Sequence, residues 1–290
     1  MWIRRTFKWI GLTLLGIVAL AVIAMIVVYT AMGRELAQSY DIVGEEIAVP
    51  SDAVSIEEGQ RLAQLRGCSD GCHGKAASGT VMIKLFDGTR VVAPDLGEIA
   101  ARYSTRDFER ATRHGIKPDG TSVLRIMPSE MFSSLSDRDL GLILAYLRSQ
   151  PTSEQTLPES RYGPVARVLG FFLKRKIGSL LAAEVIEHQH PPTPQPSDNA
   201  AYGRYLANTV CTECHGNDLR GSPDGSMPGL AMVLAYSRED FETLMRTGEP
   251  LGGRELGLMA GVARSRFVRF SDDEITALYG YLNALETWSD

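Results

Sequence analysis

The sequence predicts an all-α protein in which one N-terminal transmembrane helix is followed by two tandem helical domains of the same design. Three observations predict it. An uncharged apolar run lies near the N-terminus, an imperfect internal repeat covers residues 51–150 and 197–290, and each repeat ends in a helical apolar stripe. The organisation that follows is an anchor over 1–33, a tether over 34–50, a first domain over 51–150, a linker over 151–196 and a second domain over 197–290. A chain of 290 residues is long enough for two small cores plus extra segments.

The anchor comes first. No charged residue lies between Lys8 and Arg34. The stretch from Trp9 to Met32 reaches about 36 Å as a helix, enough for a bilayer core. Arg4, Arg5 and Lys8 precede it with no acidic residue to offset them. The positive-inside rule then puts the N-terminus in the cytoplasm and everything after Gly33 on the other side. Trp2, Trp9 and Tyr29 sit where interface aromatics are expected. A cleaved signal peptide would have an apolar region of about 7–15 residues before a small-x-small site. The run here is longer, and Thr30-Ala31-Met32-Gly33 is a poor site. The expected location is the inner (cytoplasmic) membrane, single-pass, with both domains in the periplasm or outside the cell.

Beyond the anchor the chain is acidic. Without Arg4, Arg5, Lys8 and Arg34, 26 basic residues face 35 acidic ones. The excess is uneven, with 13 of each sign over 51–150 and 8 basic against 14 acidic over 197–290. An acidic second domain steers a basic partner or simply keeps the chain soluble. No basic tract of the nucleic-acid-binding kind occurs, so nucleic acid is not expected as a partner.

The repeat is ordered. Gly59-Gln-Arg-Leu62 before Cys68 answers Gly203-Arg-Tyr-Leu206 before Cys211, and Pro94-Asp-Leu96 answers Pro228-Gly-Leu230. Tyr103, Asp107 and Phe108 answer Tyr236, Asp240 and Phe241, and Gly115 answers Gly248. Spacing agrees to a residue or two, except that the loop from His73 to Pro94 is eight residues longer than that from His215 to Pro228. Each unit reads as three helices. The first covers about 55–67 or 199–210. The middle one starts near Ser104 or Ser237, hydroxyls that cap a first turn with Asp107 or Asp240 at capping-box distance. The last starts at Ser136 or Ser271 and carries the apolar stripe Leu140, Ile143, Leu144, Leu147 or Ile275, Leu278, Tyr279, Leu282.

In the joining segment, 151–164 is turn-rich and 188–196 is a Pro-rich extended linker. Between them, Val165 to Ile186 is apolar with Arg167, Lys174, Arg175 and Lys176 interspersed. It either lies on the membrane surface as a basic amphipathic helix or packs against the two domains. Its apolar positions are not cleanly one-sided, which favours packing.

The four cysteines fall in two tight pairs, Cys68-Ser-Asp-Gly-Cys72-His73 and Cys211-Thr-Glu-Cys214-His215. A cysteine pair followed directly by histidine is what covalent haem attachment needs: two thiols add to the porphyrin vinyl groups and the imidazole reaches the iron. The first pair has a three-residue spacer instead of two, and Gly71 makes the longer loop easier to close. A redox dithiol has no use for the following histidine in both copies. A shared zinc site would need pairs drawn from two separate repeats.

The repeats resemble class I cytochrome c domains, and the whole is similar to membrane-anchored dihaem c-type cytochromes, over about residues 51–149 and 197–285. The resemblance implies two cytochrome c-like helical domains, each wrapped around one of two haem c groups. First and last helices would cross through Gly59 with Tyr146 and Gly203 with Tyr281. It implies a methionine as sixth iron ligand shortly before the last helix. In the first domain that is Met127, with Met131 as the alternative. In the second it is Met259, with Met227, Met232 and Met245 as others. The carbonyls of Pro94 and Pro228 should accept from the second nitrogen of His73 and His215. The expected iron ligands are therefore His73, Met127, His215 and Met259, and the attachment residues Cys68, Cys72, Cys211 and Cys214. His114, His188 and His190 are expected to be exposed or structural.

Two filled axial positions favour electron transfer over chemistry on a small substrate. The expectation is a non-enzymatic electron-transfer protein with redox partner proteins, either a tethered carrier or a cytochrome subunit of a respiratory complex. A cytochrome subunit of a periplasmic dehydrogenase is the alternative; a dihaem peroxidase would need an iron with an open position.

Overall fold

A computed structural model of the chain describes residues 2–153, 156–172, 194, 197–222 and 225–285. His188, His190 and positions 173–186 of the apolar joining segment lie outside the described residues.

Helix α1 (Trp2–Leu36) contains the predicted anchor, and its Arg5–Leu36 portion includes an 18-residue window of mean hydropathy 2.9, long and apolar enough to cross a membrane. The rest of the chain covers it only near its C-terminal end, at Val28 and Met32. The expected tether is packed rather than free. Tyr40 N–H donates to Gly120 O (2.9 Å), Glu45 N–H to the Glu109 carboxylate (2.9 Å) and Arg110 to Ile42 O (3.0 Å), while Ile47 is buried in the first core.

The first unit is built on α2 (Ala53–Leu65) and α6 (Asp137–Ser149). Each is started by a side-chain cap, Asp52 accepting from Ser55 N–H and Ser136 from Asp139 N–H. They cross at Gly59, where a Cβ would run into the carbonyl of Leu142 and the Tyr146 side chain. Leu140, Ile143, Leu144 and Leu147 are all at most 1% exposed, each contributing about 1.5–3 kcal/mol by burial. Between these helices lie the antiparallel strands β1 (Thr80–Lys84) and β2 (Arg90–Ala93), then α3 (Leu96–Arg102), α4 (Thr105–Glu109) continued by a π turn to His114, and α5 (Ser129–Phe132). Ser104 caps α4 as expected. His114 is buried beside Glu109, a structural position.

The second unit repeats the plan. Helix α8 (Asn199–Leu206) runs through a π turn (Ala207–Cys211) into α9 (Thr212–His215), so the helix expected over 199–210 widens before the cysteine pair. Helices α10 (Arg238–Thr247), α11 (Leu258–Ser265) and α12 (Asp272–Asn283) follow, with Ser237 and Ser271 as N-caps and a full capping box between Ser271 and Glu274. Gly203 meets the Ala277 carbonyl and Tyr281, the counterpart of the first crossing.

The longer loop of the first unit has a clear form. Gly79 N–H donates to His73 O and Gly221 N–H to His215 O, so the extra eight residues lie beyond Gly79, where the hairpin of β1 and β2 stands. The hairpin holds the joining segment, with Arg90 and Arg161 exchanging backbone hydrogen bonds at 2.8 Å and Asp87 accepting from Val165 N–H (2.8 Å). That contact starts α7 (Pro164–Phe172), which packs against α1 with the Arg167 guanidinium 4.2 Å over the Tyr29 ring. Within the described residues, up to Phe172, the apolar joining segment packs on α1 and the first unit's hairpin rather than against both domains.

Candidate functional site

In the first unit the attachment loop follows directly on α2. Cys68 N–H donates to Ala63 O (2.8 Å) and Cys72 N–H to Gly67 O (2.9 Å), closing a compact turn. The extra residue of the longer spacer is absorbed by Asp70, which takes a left-handed conformation (φ 56°). Its carboxylate accepts from the Gln64 amide (2.8 Å) and Ala76 N–H (3.1 Å), which offsets the backbone strain. Gly71 is needed for a different reason: a Cβ there would collide with the Gly67 backbone.

His73 is buried, and its Nδ1 lies 2.9 Å from Pro94 O. Burial holds the imidazole below its ordinary pKa against the opposing pull of Pro94, so the ring is neutral, the ligating form. A cavity of about 600 Å³ is lined by Cys68, Cys72, His73, Phe108 and Met127. Met131, the alternative ligand, is instead packed in the first core at 3% exposure.

The second unit repeats the histidine contact. Cys211 sits on the π turn and Cys214 and His215 on α9, with His215 Nδ1 2.7 Å from Pro228 O. Met259, on α11, is half-buried against the second core. Met245 is buried in that core and Met232 lies 41% exposed. Gly74 and Gly216 follow the two histidines with φ of 73° and 78°, and Gly79 and Gly221 hold the histidine carbonyls at 2.7 and 2.8 Å. The sequence mark of this second pair is a glycine six residues after each histidine.

The sequence model of the cytochrome c family matches residues 56–151 and 200–286, most of both units. The chain belongs to the cytochrome c family. Its relatives include the gluconate 2-dehydrogenase cytochrome c subunit of Pantoea cypripedii, 26% identical over 79% of this chain and 59% of that one. The cytochrome c subunit of the quinone alcohol dehydrogenase of Komagataeibacter europaeus is 24% identical over 87% of this chain and 58% of its own. The fructose dehydrogenase cytochrome subunit of Gluconobacter japonicus is 23% identical over 80% and 52%. This cytochrome thus spans between half and three fifths of the length of these relatives.

The residues fit a haem c. Thiols, a neutral imidazole with Nδ1 engaged and a thioether border one cavity, within the ~300–1,000 Å³ usual for cofactor sites. Arg66 lines that cavity with Nε and Nη1 buried and unpartnered, donors that an occupant's acceptor groups would meet. Among the described residues no three His, Cys, Asp or Glu side chains converge as a metal centre, in keeping with two separate pairs.

The cytochrome's two attachment loops lie side by side. Glu213, from the second cysteine pair, also lines the first cavity. Burial pushes the free thiols of Cys68 and Cys211 up to about 11 and about 12, and the charge of Arg266 pulls all four cysteines the other way. Polar contacts lock the units: Arg61 pairs with Glu274 (2.8 Å), and the Tyr205 hydroxyl donates to Asp139 (2.8 Å), which within the first unit also pairs with the buried Arg66. No sequence pattern announced these contacts.

Proposed function

We propose that this cytochrome is an electron-transfer subunit held in the inner membrane by α1, with its two units on the extracytoplasmic side and one haem c in each. The observation that carries the reading is the repeated construction of a cysteine pair and a histidine fixed by a proline carbonyl, with Met127 on the first cavity and Met259 against the second core. Bound haem c supplies a one-electron iron couple. Cys68 with Cys72, and Cys211 with Cys214, would hold the group covalently. His73 and His215 would offer Nε2 to it, because Nδ1 is engaged by Pro94 or Pro228. Met127 and Met259 would supply thioether ligands, leaving no open position for exogenous ligands.

The stitched segment 37–50 and the packing of α7 on α1 support a fixed subunit over a carrier swinging on a loose tether. The names of the relatives point the same way, towards a dehydrogenase subunit as electron donor. Purification from native membranes in mild detergent tests this. A dehydrogenase subunit should accompany the cytochrome in constant ratio; recovery of the haem-loaded chain alone would overturn the subunit reading.

A further inference from the structure

Arg266 is the C-cap residue of α11, the helix that carries Met259, yet its side chain reaches into the other unit. Its Nε donates to Leu65 O, the last carbonyl of α2, at 3.1 Å. Its Nη1 lies 3.4 Å from the carboxylate of Glu213, between Cys211 and Cys214. Its guanidinium carbon stands 2.9 Å from where a Cβ on Gly67 would lie, one residue before Cys68. The side chain is 12% exposed, and Nη2 is buried with no partner. A cation of this kind, planar and always charged, thus touches the backbone or side chains of both attachment loops. The contact exists only because Gly67, with φ 76°, leaves the space open.

Resting on the reading of one haem in each unit, we propose that Arg266 is a positioning and potential-setting residue shared by the two haem sites. Its fork holds the first attachment loop against the second. Its charge favours the reduced state of both, because a one-electron reduction adds one negative charge at the iron with no bond made or broken. Desolvation makes that charge effective, while Glu213 partly offsets it. The two residues should therefore move both potentials in opposite directions.

The test is a spectroelectrochemical titration of the purified haem-loaded chain, comparing Arg266→Gln, Arg266→Lys and Glu213→Gln with the unmodified protein. Haem content is checked first by pyridine haemochrome. Arg266→Gln should lower the reduction equilibrium of both haems three- to tenfold, about 30–60 mV at 59 mV per tenfold for one electron. Arg266→Lys should recover most of that shift, and Glu213→Gln should raise both potentials. If Arg266→Gln fails to mature, Glu213→Gln carries the test in a chain with the native arginine. Both variants with two haems and unmoved potentials, or only one haem responding, would overturn the shared role while leaving the two-haem reading intact. An unmodified protein with fewer than two haems would instead overturn the reading on which the inference rests.

Discussion

The hydroxyl of Tyr205 donates to Asp139 Oδ2 at 2.8 Å, tying the first helix of the second unit to the last helix of the first. The same carboxylate oxygen pairs with Arg66, whose guanidinium lies 5.9 Å from the Tyr205 ring centroid. Tyr205 is 4% exposed and Asp139 4%, so this junction is dry. Tyr205→Phe should cost about 1–3 kcal/mol, because the buried Asp139 loses a donor and gains no water. Chemical unfolding of the variant against the unmodified chain measures it. A double-mutant cycle with Asp139→Asn should show coupling of at least about 0.5 kcal/mol.

A second junction is pH-dependent. Burial opposes ionisation of Glu274, but the hydrogen bonds and charge of Arg61, with Ser271 N–H, prevail and hold its pKa below the usual 4.5. A carboxyl with a lowered folded pKa stabilises fully above its unfolded value. That contribution should fade as pH falls from about 4.5 through the lower folded value. Glu274→Gln should flatten this part of the acid limb and lose about 1–3 kcal/mol at neutral pH. Unfolding curves between pH 7 and 3 read both effects.

The helix crossings leave no room for a methyl group. Gly203→Ala should destabilise the second unit by about 1–3 kcal/mol, since the Ala277 carbonyl and Tyr281 must both give way. The loss should appear as an earlier thermal transition of that unit, with the first unit unchanged.

The methionines differ in role by position. Met127→Ala should remove one contribution to the methionine–iron charge-transfer band of the oxidised protein and lower the potential of one haem. Met259→Ala should do the same for the other. Met131→Leu, a change of similar volume in the core, should leave the band intact at a cost below about 1.5 kcal/mol. Visible spectra of the three variants separate ligand from core.

What the sequence made legible was local. Ser104, Ser136, Ser237 and Ser271 announced helix starts because a cap is written within four residues, and all four cap as expected. The cysteine–histidine pairs were equally plain. The hairpin over 80–93 was not, because two short strands owe their place to residues about 70 positions away, at Arg161 and Val165. The segment 37–50 forms no element of its own, so its attachment to Gly120, Glu109 and Arg110 left no local trace. No local pattern sets Arg266 apart from its neighbours Arg264 and Arg269. Only the fold brings it to Leu65 and Glu213.

The intact mass of the purified, denatured chain decides whether each unit carries one covalent haem. A mass raised by two haems is expected, falling to one when Cys211 and Cys214 are both replaced by alanine and to none when Cys68 and Cys72 are replaced as well. A mass showing one haem or none in the unmodified chain, or two haems surviving the loss of Cys211 and Cys214, would contradict one haem per unit.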